Sequence, residues 1–163
     1  MIDLYPAHVG GGYFFDVTRT LCVGRAPTEL KEIHALVREA VERTFGSLTP
    51  EAPARIYQEK VCDLFESRGH KTIRQDERLH EGYVHGLGHG IGLEIHERPN
   101  LGGPSQNADR IAPGSLFTVE PGLYYPSRDL GVRIEDVVHA RPDGSFENLT
   151  DISYELEVAP AST

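Results

Sequence analysis

Cysteine, basic charge and long apolar runs are all scarce in this chain, and each shortage removes a class of function. Cys22 and Cys62 are the only 2 cysteines among 163 residues. They lack CxxC spacing, so both read as free thiols of a cytoplasmic protein rather than as a disulfide. Lysine and arginine number 16 against 25 acidic residues, for a formal net charge of −9. That balance disfavours nucleic acid and anionic membrane surfaces, which need a basic footprint. No apolar stretch approaches the ~20 residues that cross a bilayer. The opening Met1-Ile2-Asp3-Leu4-Tyr5-Pro6 has neither a basic region nor an apolar core, so no secretion signal is expected. HExxH motifs, heptads, longer repeats and low-complexity tracts are absent.

What is present suits one globular domain. Hydrophobic residues make up 39% of the chain, which is enough to build a core. Residues 13–23 are aromatic and β-branched and predict a strand, broken by Gly24 and Pro27. Thr28 is placed to N-cap a helix running to about Phe45, with Leu30, Ile33, Val37, Ala40, Val41 and Phe45 on one face and Gly46 closing it. A second helix is expected over 54–68, with Ile56, Tyr57, Val61, Leu64 and Phe65 as its stripe and Gly69 as its stop. The remainder reads as β: a glycine-rich stretch over 83–96, strands over 115–119 and 131–140, a turn at Asp143-Gly144 and a last strand over 147–158. One strand, two helices and then several strands predict an α+β fold, with helices packed on one face of an antiparallel or mixed sheet.

Five side chains stand out because each interrupts an apolar, strand-like run. Asp16 follows Gly-Tyr-Phe-Phe, Glu120 follows Leu-Phe-Thr-Val, and Glu135 follows Gly-Val-Arg-Ile. His89 lies within Gly-Leu-Gly-His-Gly-Ile-Gly-Leu, and Asp3 sits between Ile2 and Leu4. A single acidic residue in a strand usually faces solvent. If buried, it needs a cation or a hydrogen-bond network to offset its desolvation. Four carboxylates and a histidine in one short domain weaken the solvent-facing reading without removing it. His85 and His89 are four apart, but the glycines at 86, 88, 90 and 92 exclude a helix. On an extended strand those two share a face, and His96 falls on the other unless a bulge or bend intervenes. Glycine at this density implies backbone packed closely against another strand or a ligand.

Four blocks together resemble the pita-bread metallopeptidases. They are Asp16-Val17-Thr18-Arg19-Thr20, the run from His85 to Glu97, Thr118-Val119-Glu120-Pro121-Gly122, and Gly131-Val132-Arg133-Ile134-Glu135-Asp136. Within that family they look most like Xaa-Pro peptidases of the prolidase and aminopeptidase P type. The resemblance implies a curved, largely antiparallel sheet with helices on its outer face. It also implies two divalent metal ions, with Mn²⁺ favoured by the hard oxygen donors and Co²⁺ or Zn²⁺ as alternatives. Asp3, Asp16, His89, Glu120 and Glu135 would be the ligands, with Asp16 and Glu135 bridging. Glu120 would carry the proton from nucleophile to leaving amine, His96 would stabilise the oxyanion, and His85 would position the substrate. Arg133 would orient the bridging glutamate, and Thr18 and Asp136 would support neighbouring ligands. The implied partner is a peptide with proline after its first residue.

The chain also departs from that pattern. The family's catalytic domain starts with two helices and a hairpin ahead of the first metal aspartate, and here Asp3 is the third residue. Residues 1–163 are therefore expected to form one catalytic domain with an incomplete first half-repeat and no separate N-terminal domain. Exposed apolar surface and sheet edges then imply self-association or a homodimer. Two alternatives use the same fold: a methionine-aminopeptidase-like enzyme, and a module that binds metal or protein without turnover. His8, His34, His70, His80 and His139 read as surface or structural residues, and Tyr124-Tyr125 and Phe14-Phe15 as core.

Overall fold

The computed structural model describes residues 1–103 and 107–160. In chain order the elements are β1 (Ile2–Leu4), β2 (Val17–Arg19), β3 (Cys22–Val23), α1 (Thr28–Phe45), α2 (Arg55–Ser67), β4 (His89–Gly90), β5 (Glu97–Asn100), β6 (Leu116–Val119) and β7 (Gly122–Tyr125). A 3-10 turn (Pro126–Arg128) leads to β8 (Leu130–Arg133), β9 (Asp136–Ala140), β10 (Phe146–Asn148) and β11 (Glu157–Val158).

The helices form where apolar spacing demands them. α1 buries Ile33, Leu36, Val37, Ala40 and Val41, and Gly46 ends it by donating to Glu42 O at 2.9 Å. Thr28 is the first helical residue and not the cap. Pro27 holds that position with φ −57° and ψ 151°, and no side chain caps the helix. A proline's fixed φ readies the chain for a helix without any hydroxyl. α2 buries Tyr57, Val61, Cys62, Leu64 and Phe65, and Gly69 leaves it at φ +84°, where a side chain would be strained. α1 packs on α2 and on the β7–β8 hairpin. Tyr57, Phe65, Tyr83, Leu87, Phe117 and Leu123 are fully buried where these layers meet. Each such side chain contributes roughly 1.5–3 kcal/mol by leaving water.

The main sheet runs β10-β9-β6-β4-β5, and all its neighbours are antiparallel. β1 pairs with β2, β7 with β8, and β3 in parallel with β11. Three expected strands are each divided in two, and a change of partner is the reason each time. The run 13–23 becomes β2, held by β1, and β3, held by β11, with Cys22 donating to Leu156 O at 2.7 Å. The run 131–140 becomes β8, which follows β7, and β9, which follows β6. The run 147–158 becomes β10 and β11, with an irregular segment between them. The Asp143-Gly144 turn does join β9 to β10, closed by Arg141 donating to Ser145 O at 2.8 Å.

The second division places the site. Pro121 has no N–H for a ladder, so the chain from β6 to β7 breaks there, opposite the break between β8 and β9. Glu120 and Glu135 occupy these two breaks. The glycines of the 83–96 stretch let a third segment press in from the other side. A Cβ on Gly88 would lie 2.0 Å from Thr118 O, and one on Gly90 would lie 2.1 Å from Arg98 O. Only two residues of this stretch, His89 and Gly90, are ladder-paired as β4.

Candidate metal centre

Asp16 enters β2, His89 opens β4, Glu120 follows β6 and Glu135 precedes β9, so strand ends deliver all four to one place. One donor atom each from Asp16, His89 and Glu135 lies within 4.8 Å of the others. His89 Nε2 is 3.3 Å from Glu120 Oε1 and 3.8 Å from Asp16 Oδ2. The other ring nitrogen of His89 donates to Gly90 O at 3.0 Å, which leaves a lone pair on Nε2 facing the carboxylates.

These groups are costly to hold without a cation. Burial, with the Asp3 charge next, pushes the Asp16 carboxyl up to about 6. Burial also lifts Glu120 and Glu135 above the usual carboxylate range, with repulsion from Glu135 acting on Glu120 and from Asp16 acting on Glu135. Among the described residues Asp16 Oδ1 is buried with no hydrogen-bond partner. An orphaned carboxylate oxygen, an imidazole lone pair and two further carboxylates suit a hard divalent ion.

Asp3 stands apart from this tight group. It pairs with Thr18 across β1 and β2, its side chain is 40% exposed, and it takes the Arg133 guanidinium. Arg133 therefore does not touch Glu135 directly. Its Nε donates to Thr18 Oγ1 at 3.0 Å, and Thr18 Oγ1 in turn donates to Glu135 Oε2 at 2.6 Å. The hydroxyl is the closer partner because Thr18 forms a β-bridge with Glu135. Asp136 is turned away from the cluster and pairs with Arg19 at 2.7 Å, so it supports no ligand side chain directly.

Tyr124, expected in the core, belongs to the site. Arg133 Nη1 donates to its hydroxyl at 3.1 Å. His85 Nδ1 donates to Gly86 O at 2.7 Å, so the Tyr124 hydroxyl donates to His85 Nε2 at 2.8 Å. Burial lowers His85 to about 4 and keeps this ring neutral. Period-two alternation was the available signal, since Tyr124 is two and four residues beyond Gly122 and Glu120. Tyr125 points the other way, into the core, and bonds His70. His96 is exposed, yet its ring centroid lies 4.3 Å from that of His89. Both devices that could bring it round are present: a register shift at His89/Gly90 and a bend over 92–96. A cleft of about 800 Å³, lined in part by His85, His89, His96 and Glu120, opens beside the cluster.

Comparison with known proteins defines the class. Residues 2–142 match metallopeptidase family M24. A probable dipeptidase PepE of Mycobacterium tuberculosis is 32% identical over 98% of this chain and 40% of its own. The Xaa-Pro dipeptidase of Pyrococcus furiosus is 33% identical over 88% of this chain and 38% of its own. Among solved structures, the X-Pro aminopeptidase of Thermotoga maritima superposes with a TM-score of 0.80 at 30% identity, covering 96% of this chain and 40% of that one. The fold is that of the pita-bread metallopeptidases, in the α+β class that the order of elements implied. The chain belongs to metallopeptidase family M24. It spans about 40% of the length of the curated relatives it matches.

Proposed function

We propose that this chain is the metal-bearing part of a dinuclear metallopeptidase that hydrolyses the bond before proline. The observation that carries this reading is the convergence of Asp16, His89 and Glu135 donor atoms within 4.8 Å, with Glu120 beside His89. Asp16, His89, Glu120 and Glu135, with Asp3 at the rim, would hold two divalent ions, and the oxygen-rich set favours Mn²⁺. Such a pair polarises a scissile carbonyl and makes water a competent nucleophile at neutral pH.

The chain's own residues supply the rest. Glu120 faces the cleft with a raised pKa, which suits it to accept a proton and pass it to the leaving amine. His96, exposed over the cleft beside the His89 ring, would donate to developing negative charge on the carbonyl oxygen. His85 lines the same cleft with both ring nitrogens bonded, to Gly86 O and to the Tyr124 hydroxyl, so it would position substrate by packing its fixed ring against it. Thr18 and Arg133 hold Glu135 and Asp3 in place. Proline specificity rests on the resemblance and on the Xaa-Pro relatives, and a cytoplasmic location on the free thiols of Cys22 and Cys62.

One observation favours a second reading, a module that binds metal without turnover: Asp3 is half exposed and occupied by Arg133. The experiment is hydrolysis of an Xaa-Pro dipeptide and of a longer Xaa-Pro peptide with Mn²⁺, beside Glu120→Gln. Turnover by the parent and its loss in the variant support the peptidase. Mn²⁺ binding by a parent that hydrolyses neither peptide would support the module. We propose further that residues 1–163 belong to one catalytic domain and that the chain associates through its exposed β1 edge. β1 exposes Ile2 and Leu4, with Tyr5 beside them. Light scattering should give a dimer or larger species, and a monomer at micromolar concentration would refute this.

A further inference from the structure

β2 and the chain entering β9 each carry two consecutive polar residues, and alternation sends the members of each pair to opposite sides. Thr18 and Glu135 turn to the metal centre, where their side chains meet at 2.6 Å. Arg19 and Asp136 turn to the back, where they form an ion pair at 2.7 Å with side chains 7% and 0% exposed. The guanidinium does more than neutralise Asp136. Nη1 donates to Thr18 O at 2.9 Å and to Glu135 O at 2.8 Å. Nη2 also donates to Ile152 O at 2.8 Å, and Nε donates to Ser153 O at 3.1 Å.

Asp136 is held in turn. Its Oδ2 accepts from Asn148 Nδ2 at 3.0 Å and from the Tyr154 hydroxyl. The Tyr154 ring lies under the Arg19 guanidinium, 4.8 Å from centroid to Cζ. One planar fork thus ties the main chains of Thr18 and Glu135 to Ile152 and Ser153 in the irregular segment that follows β10.

A buried ion pair is often only a structural tie, replaceable at little cost in stability. Two features distinguish this one. Both Nη1 bonds end on the carbonyls of the residues whose side chains meet at the metal centre. A divalent ion, moreover, tolerates errors of only about 0.2 Å in ligand distance. Tilting the Glu135 peptide would therefore move its carboxylate out of range before it unfolded the sheet.

We propose that Arg19, backed by Asp136 and Tyr154, is a positioning residue that fixes the backbone of Thr18 and Glu135 and so sets metal affinity from behind the site. This rests on the metal-centre reading above. The segment 149–154 then belongs to the working apparatus although it contributes no side chain to the cleft. Arg19→Lys keeps the charge for Asp136 but loses the planar fork, since an ammonium cannot serve all these acceptors together.

The test is calorimetric titration of Mn²⁺ into the parent, Arg19→Lys and Tyr154→Phe, well below their melting temperatures, with melting curves alongside. Arg19→Lys should weaken Mn²⁺ binding about tenfold or more. Tyr154→Phe should weaken it by a smaller factor. A purely structural role would lower melting temperatures and leave the Mn²⁺ affinity of the folded chain unchanged, and that result overturns the proposal. If Arg19→Lys does not fold, Tyr154→Phe decides by the same criterion. A parent that takes up no Mn²⁺ overturns the metal-centre reading and this inference with it.

Discussion

Removing the Thr18 hydroxyl isolates the support beneath Glu135. The hydroxyl is fully buried, donates to Glu135 Oε2 at 2.6 Å and accepts from Arg133 Nε at 3.0 Å. Thr18→Val keeps the β-branched shape on β2 and deletes both bonds. A hydrogen bond to a charged group contributes about 1.5–3 kcal/mol. Part of that loss falls on stability, because Arg133 Nε is left without its acceptor. The part that falls on the Glu135 carboxylate should weaken Mn²⁺ binding by about 10–100-fold, the usual cost of losing a partner behind a ligand. Calorimetric titration reads the affinity, and a melting curve without metal reads the stability share. Thr18→Ser, which retains the hydroxyl, serves as the control and should bind close to the parent. Parent-like affinity in Thr18→Val would mean that the short bond to Glu135 does not orient it, and the reasoning would fail.

Three further outcomes follow from the same geometry. Asp16, Glu120 and Glu135 titrate above their unfolded values, so between about pH 4 and their folded values the native chain binds more protons than the unfolded one. These groups therefore make the metal-free chain less stable as pH rises through that window, while the melting-temperature gain from Mn²⁺ grows because metal binding displaces those protons. A metal-induced gain that is flat from pH 5 to 8 would contradict this. Gly88→Ala places a methyl against Thr118 O, for which a Cβ distance of 2.0 Å leaves no room. It should cost about 1–3 kcal/mol or more in a denaturant titration. Tyr124→Phe frees His85 Nε2 and one Arg133 nitrogen, and should raise KM or lower kcat for an Xaa-Pro peptide while the fold persists.

Periodicity made the helices legible, because a buried stripe repeats every three to four residues and needs no long-range information. The predicted stripe of α1 lies within a residue of its observed face, and Gly46 and Gly69 mark where the helices stop. The strands were less legible, since a strand ends where its partner changes, and partners lie far off in sequence. Glu135 could be noticed as a charge in an apolar run, but nothing local reveals that 131–140 leaves β7 for β6 at that residue. The same limit applies to Arg133 and Asp136. Each lies within two residues of Glu135 in sequence, yet one reaches it only through Thr18 and the other faces the back. His96 could be placed only conditionally, and the register shift and bend that bring it to His89 meet that condition.

The most direct measurement is the number of Mn²⁺ ions the purified chain holds, by equilibrium dialysis with electron paramagnetic resonance of the bound ions. Two per chain, spin-coupled through shared carboxylates and lost together in Glu135→Gln, is the expected result. No bound Mn²⁺ at neutral pH, or one uncoupled ion unaffected by Glu135→Gln, would contradict a dinuclear centre built from these residues.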